Sequence, residues 1–221
     1  NTADMGGAVR LEKKAVLTIT GGEISGNTAN NGGAILLKDN GTELNLQGGK
    51  ITDNTATTAG GIRVDEKTKL TVSGAPVVMD NTVSGKQQNI YLLGNAKITL
   101  GDVAKDAKLG ISAATVGRAI STETETDYTA NFVGDSSKNP VTYQDKALWI
   151  DFYTDHIHCV CDGVKNSPCD HTEQRWRPWD STNSLPTSSG YYYLTADIQL
   201  TGTFSIAKQD IYLCLNGHTV T

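Results

Sequence analysis

The first 90 residues contain no Phe, Trp, Tyr or Cys. A core without aromatic rings must be filled by Ile, Leu and Val, which suits thin stacked layers better than a thick globular interior. No apolar run approaches the ~20 residues an α-helix needs to cross a bilayer, so membrane insertion by this segment is not expected. Lys and Arg number 19 against 24 Asp and Glu, a net charge of −5, and no basic stripe is present. That argues against a nucleic-acid partner. All four cysteines lie after residue 158 and all three tryptophans after residue 148, so composition changes sharply along the 221 residues.

What the first hundred residues do contain is a repeat. Asn-Thr recurs at positions 1, 27, 54 and 81, in steps of 26, 27 and 27. An aliphatic sits three residues before each later Asn: Ile24, Ile51 and Val78. A Gly pair recurs at Gly6-Gly7, Gly32-Gly33 and Gly60-Gly61. One family of alternating strands follows those pairs (Val9 and Leu11, Ile35 and Leu37, Ile62 and Val64, Ile90 and Leu92). A second runs through Leu17 and Ile19, Leu44 and Leu46, Leu70 and Val72, with Ile98 behind it. The pattern predicts about three short strands per repeat, with no room for a helix. Each strand then pairs with its counterpart one repeat away, at ~4.8 Å. One coil cannot bury its own apolar face, but stacked coils can. The expected fold is all-β: a right-handed parallel β-helix over residues 1–102 with aliphatic ladders inside. The repeated Asn is expected to form an internal ladder at a corner. A β-sandwich of many short strands would alternate as well, but without a fixed recurrence.

Beyond the repeat the register breaks. Residues 103–155 read as a small β-subdomain covering the open end of the solenoid, since uncovered ends are edge-strand hazards. Residues 156–184 form a Cys/His-containing linker. Residues 185–221, with Tyr191 to Leu194, Ile198, Leu200, Phe204, Ile206 and Ile211 to Leu215, read as the start of a second β-helix. The chain begins within a repeat and stops within an apparent strand, which suggests an excised piece of a larger protein.

The linker holds the most chemically pointed segment: His156-Ile157-His158-Cys159-Val160-Cys161, then Cys169-Asp170-His171. Short Cys-x-Cys and Cys-x-His pairs joined by a loop can close a tetrahedral zinc site, and so many candidate ligands favour a structural ion over a catalytic one. The leading set is Cys159, Cys161, Cys169 and His171, with His158 or His156 as substitutes. Disulfides are the alternative: Cys159 or Cys161 with Cys169, or a bridge to Cys214, since a Cys159–Cys161 bridge is strained. Inert thiols are the third reading.

Other motifs point nowhere definite. Parallel β-helix lyases and hydrolases need clustered carboxylates along one groove. Asp53 and Asp80 share a repeat position, but Gly26 holds it one coil earlier, and Asp39, Asp65 and Glu66 sit in turns beside Lys38 and Lys67. These read as solvated turns. Thr18, Thr20 and Thr71 hint at a threonine ladder like that of ice-binding solenoids, interrupted by Asn45. Leu185-Pro186-Thr187-Ser188 resembles a sortase signal without its Thr-Gly ending. Trp176 and Trp179 suit packing over the Cys/His loop better than a sugar platform.

Taken together, His156-x-His158-Cys159-x-Cys161, Cys169-x-His171, Trp176-x-x-Trp179, Ser184-Leu185-Pro186, Gly190 to Thr195 and Leu213-Cys214-Leu215-Asn216-Gly217-His218-Thr219 resemble a module of very large surface proteins of gut commensal Gram-positive bacteria. The Gly-Gly and Asn-Thr coils are similar to the β-helical repeats of those proteins. Some of them act like superantigens, binding immunoglobulin variable regions outside the antigen site. The resemblance implies an extracellular module at the cell surface or cell wall, without enzymatic activity, whose partner is host immunoglobulin. It carries over no binding residue. A structural spacer or adhesin stalk, and a carbohydrate-active enzyme, are the competing classes. The zinc expectation has a direct check. Elemental analysis of protein purified without added metal should return about one zinc per chain. A thiol count of zero in denaturant, with no metal present, would favour disulfides instead.

Overall fold

The computed structural model describes residues 1–152, 157–158, 174–207 and 209–221, with only the backbone at 157–158 and 174–175. The chain divides into two compact units, Asn1–Tyr153 and Thr154–Thr221. The described residues contain strands and turns and no helix.

The first unit is a parallel β-helix of about five turns, consistent with the right-handed sense. Its coils have four strands rather than about three, and so four stacks. Thr2–Met5, Thr28–Asn31, Thr55–Thr58 and Thr82–Val83 form the first, with Thr2, Thr28, Thr55 and Thr82 in line. Val9–Leu11, Ile35–Leu37, Ile62–Val64 and Ile90–Leu92 form the second. Val16–Ile19, Glu43–Leu46, Lys69–Gly74 and Ile98–Val103 form the third. Glu23–Ser25, Lys50–Thr52 and Val77–Val78 form the fourth, bringing Ile24, Ile51 and Val78 into one column. The first stack escapes apolar pattern reading because its inward residues are mostly small or polar: Ala3, Ala29 and Ala56 occupy one register position, and Asn31 and Thr58 share the other with Met5.

Inside, Ile35, Leu37, Leu44, Leu46, Ile51, Ile62, Leu70, Ile90, Leu92 and Ile98 are all but sealed from solvent and belong to one core. Burial of each stabilises the fold by about 1.5–3 kcal/mol relative to exposure. The first coil pairs on one side only. Its Val9, Leu17, Ile19 and Ile24 are partly buried, as expected where a coil has one neighbour, and Val16 is exposed at the outward position that Glu43 and Lys69 take in the next coils.

The glycine pairs behave differently from their appearance in the sequence. Gly32 N–H donates to Thr58 O and Gly33 N–H to Ala59 O, so Gly33 faces Gly60 while Gly32 faces Ala59. The third pair is therefore one residue late. Ala59 takes the left-handed φ of 59° that Gly6 (62°) and Gly32 (65°) take in the coils before. The second glycine of each set is required by contact: a Cβ at Gly33 would lie 2.1 Å from Gly60 O.

The buried polar groups form the expected asparagine column. Asn27 N–H and Nδ2–H both donate to Asn54 Oδ1, at 3.0 and 2.9 Å. Asn54 donates in the same way to Asn81 Oδ1, at 3.1 and 2.8 Å. The next acceptor is Asn89, only eight residues further on, whose Oδ1 takes Asn81 N–H and Nδ2–H at 2.9 and 3.0 Å. Each amide also bonds a carbonyl two residues back in its own chain: Asn27 to Ser25, Asn54 to Thr52 and Asn81 to Met79. The column ends on a carboxylate. Asn89 Nδ2–H donates to Asp135 Oδ1 at 2.6 Å and Asn89 N–H to Asp135 Oδ2 at 2.9 Å. Burial pushes the Asp135 carboxyl above its ordinary range, and the bonds from Asn89 pull it part of the way back.

That ending coincides with a change of cross-section. Thr82–Val83 turns back antiparallel onto Lys86–Gln87, closing the first stack as a hairpin between Asn81 and Asn89. In the next turn one strand, Lys108–Ala113, takes two places at once. Its Leu109 continues the Ile24–Ile51–Val78 column, and its Ile111 continues the second stack beyond Ile90. Only Gly110 separates them, and a Cβ there would lie 2.3 Å from Asn89 Nδ2 and 2.6 Å from Asp135 Oδ1. Phe132–Gly134 then pairs on this strand. An antiparallel sheet of Arg118–Ala119, Ala147–Ile150 and Val141–Gln144 follows. Its Leu148 and Ile150, with nearby Ile120 and Phe132, extend the same core.

The second unit contains a parallel sheet of Arg177–Trp179, Gly190–Leu194 and Ile211–Cys214. Tyr191 lies opposite Tyr212, and Ile198 bridges in parallel to Val220. These strands pair in parallel, as those of the first unit do.

The column yields a quantitative expectation. Asn54→Ala strips Asn27 of its acceptor and should cost about 2–4 kcal/mol of stability, because buried donors are left unmatched. Thr57→Ala, on the exposed face, should stay within about 0.5 kcal/mol. Urea unfolding of both variants measures the difference, and equal costs would remove the column from the stability argument.

Candidate binding surface

The residues proposed from sequence to hold zinc, Cys159, Cys161, Cys169 and His171, lie outside the described residues, as does His156; of His158 only the backbone is described. No grouping of three or more His, Cys, Asp or Glu with metal-holding geometry occurs among the described residues. Cys214 is a free, half-buried thiol there.

The carboxylates that share a repeat position, read from sequence as solvated turns, have a backbone explanation. Gly26, Asp53 and Asp80 occupy one corner of successive coils and share left-handed φ values of 65°, 56° and 59°. Gly adopts that conformation freely and Asp tolerates it better than most residues. Asp53 and Asp80 are exposed there, on the turn that leads into the asparagine column.

At another corner the turns Glu12 to Lys14, Lys38 to Gly41 and Asp65 to Lys67 stack into a ridge. Gly41 N–H donates to Lys67 O at 3.0 Å, Lys13 N–H to Asp39 Oδ2 at 3.3 Å, and Asn95 N–H to Glu66 Oε1 at 2.9 Å. Beside it, Arg10 pairs with Glu12 and Arg63 with Asp65, both at 2.7 Å. Arg63 also donates to Asn31 Oδ1. The ridge thus presents both charge signs, partly neutralised from within. Such an arrangement selects partners by complementarity without strong non-specific attraction.

The first stack offers a different surface. Its outward side chains form two short rows: Thr2, Thr28 and Thr55, and Asp4, Asn30 and Thr57. They line a shallow groove of about 510 Å³. The rows bond along the stack. Thr28 and Thr55 hydroxyls are 3.0 Å apart, and Asn30 Nδ2–H donates to Asp4 Oδ1 at 2.7 Å. Sequence reading located a threonine ladder elsewhere, at Thr18 and Thr71, where the register indeed places Asn45 between them. The signal for the face that does carry it was the Thr-Ala-Asn-Asn and Thr-Ala-Thr-Thr runs after each ladder Asn.

In the second unit Trp176 is 3% exposed and meets Tyr191 edge-on at 5.6 Å. Trp179 meets Tyr192 edge-on at 5.7 Å and donates its indole N–H to Ser184 O. Tyr191 stacks on Tyr212 at 4.7 Å. These rings pack against one another; the Cys/His loop that the tryptophans were expected to cover lies outside the described residues. His218 Nδ1 lies 3.3 Å from the Asp197 carboxylate, which the Thr219 backbone N–H, chiefly, holds below its ordinary pKa.

No protein-family model, curated protein or solved structure matches this chain.

Proposed function

We propose that this chain is a non-enzymatic binding module of a large bacterial surface protein, and that it engages the framework of immunoglobulin heavy-chain variable regions through the flank of its solenoid. The observation that carries the reading is the outward face of the first stack: a groove spanning three coils, lined by Thr, Ala, Asn and one Asp. Short side chains already bonded along the stack lose little freedom when a partner docks, so contact is made at low ordering cost. The mixed-charge ridge adds selectivity. The partner itself rests on the resemblance of the Cys/His-to-Leu213-Cys214-Leu215-Asn216-Gly217-His218 stretch and the Asn-Thr coils to superantigen-like surface proteins, which is an argument by analogy. The same resemblance supports an extracellular, cell-wall setting, while the spacing of Cys159, Cys161, Cys169 and His171 supports a structural zinc.

Immobilised chain should capture antibodies of one heavy-chain variable family whatever their antigen. A Thr28→Lys, Thr55→Lys double variant, altered only at exposed positions, should keep its unfolding midpoint and lose capture. If purified antibodies covering the major variable families show no capture at about micromolar concentration, where binding is worth about 8 kcal/mol, the binding reading fails and the spacer reading replaces it.

A further inference from the structure

Three Asn-Gly pairs occur in the chain: Asn31-Gly32, Asn40-Gly41 and Asn216-Gly217. All three share the same reactive chemistry, because glycine leaves the following backbone nitrogen unhindered for attack on the Asn side chain. The fold treats them differently. Gly32 N–H donates to Thr58 O and Gly41 N–H to Lys67 O, each at 3.0 Å and each tied to the next coil. Gly32 is buried as well, and Asn31 Oδ1 is held by Arg63. A Cβ at Gly41 would lie 3.3 Å from Lys14 Cγ, so that turn is crowded.

Asn216-Gly217 has none of these restraints. It occupies the exposed turn closed by His218 N–H donating to Leu215 O at 2.8 Å. No hydrogen bond engages the Gly217 N–H among the described residues. A Cβ at Gly217 would meet nothing within 4 Å, which leaves room for the peptide plane to swing. The one tether is Asn216 Nδ2–H donating to Leu194 O at 3.1 Å, a side-chain bond at an exposed residue.

We infer that Asn216 is a site of spontaneous backbone-assisted deamidation in the folded protein, while Asn31 and Asn40 are protected by the coil-to-coil bonds of their glycines. The Gly217 nitrogen attacks Asn216 Cγ and gives up its proton to water. The new N–Cγ bond closes a succinimide, and the Cγ–Nδ2 bond breaks with loss of ammonia. Water then opens the ring at either carbonyl, leaving aspartate or isoaspartate, with no change of oxidation state. The product no longer donates to Leu194 O. In the isoaspartyl form the turn before His218 also gains a backbone methylene, so the modification loosens the contact between consecutive strands of the second unit.

The test is prolonged incubation of the whole chain in mildly alkaline buffer at body temperature, followed by peptide mapping and isoaspartyl methyltransferase labelling. Asn216 should convert at least about tenfold faster than Asn31 or Asn40, the factor expected when reaction first requires opening a bond worth about 1.4 kcal/mol. In denaturant the three rates should converge to within a few-fold. Gly217→Ala should slow conversion at Asn216 and leave the other two unchanged. Native conversion at Asn216 no faster than at Asn31 and Asn40 would overturn the inference, as would a rate ordering that persists in denaturant.

Discussion

Asn27, Asn54 and Asn81 each give a backbone N–H and a side-chain N–H to a single oxygen on the next asparagine of the column. This double bond-pair is the constraint on which the rest of the solenoid depends. The aliphatic columns would tolerate some sliding, because Ile, Leu and Val are nearly interchangeable in a stacked core. The asparagine column does not, because a slip by one residue strands several buried donors and acceptors together. The backbone N–H groups of Asn27, Asn54 and Asn81 all point along the column toward its last coil, so partial positive charge accumulates at that end as it does at a helix N-terminus. A carboxylate is the fitting terminus, and Asp135 supplies one whose side chain has no N–H to continue the series, while its backbone N–H is taken by Ile111 O.

The terminus also shapes the surface. Where the column stops, the hairpin Thr82–Val83 and Lys86–Gln87 ends the threonine face, and Lys108–Ala113 runs directly from the fourth stack to the second. The outward rows are therefore bounded: four coils contribute strands to that face and the next does not. The internal polar column and the external threonine face are two sides of one corner, since Asn27, Asn54 and Asn81 are each followed at once by Thr28, Thr55 or Thr82 of that face. Rigidity inside is what keeps the exposed rows in line outside.

The register of Asn27, Asn54 and Asn81 and of the Ile24, Ile51 and Val78 column was legible in the sequence because a solenoid places equivalent residues in contact at a constant separation. The four-strand coil was not, because the inward rows of the first stack are mostly small or polar, Ala3, Ala29 and Ala56 in one and Asn31 and Thr58 in the other, and so give little apolar alternation. Asn89 and Asp135 were invisible for a related reason. Their contacts bridge 8 and 46 residues, off the period, and arise only once the hairpin is folded. The late glycine pair misled the alignment because Ala59 accepts a backbone conformation that glycine usually fills. Asp53 and Asp80 were seen to share a position, but that the position is a left-handed corner is a property of the coil. The identity of a partner has no physical signature in short, neutral side chains, which is why that part of the account stands on resemblance.

The central claim is that the asparagine column acts as one cooperative unit closed by Asp135. Native-state hydrogen exchange at the backbone amides of Asn27, Asn54, Asn81 and Asn89, in the unaltered chain and in Asp135→Ala, tests it most directly. The account predicts that the four amides share one high opening free energy, and that Asp135→Ala lowers it for all four together. Four unrelated opening energies, or an effect of Asp135→Ala confined to Asn89, would contradict it.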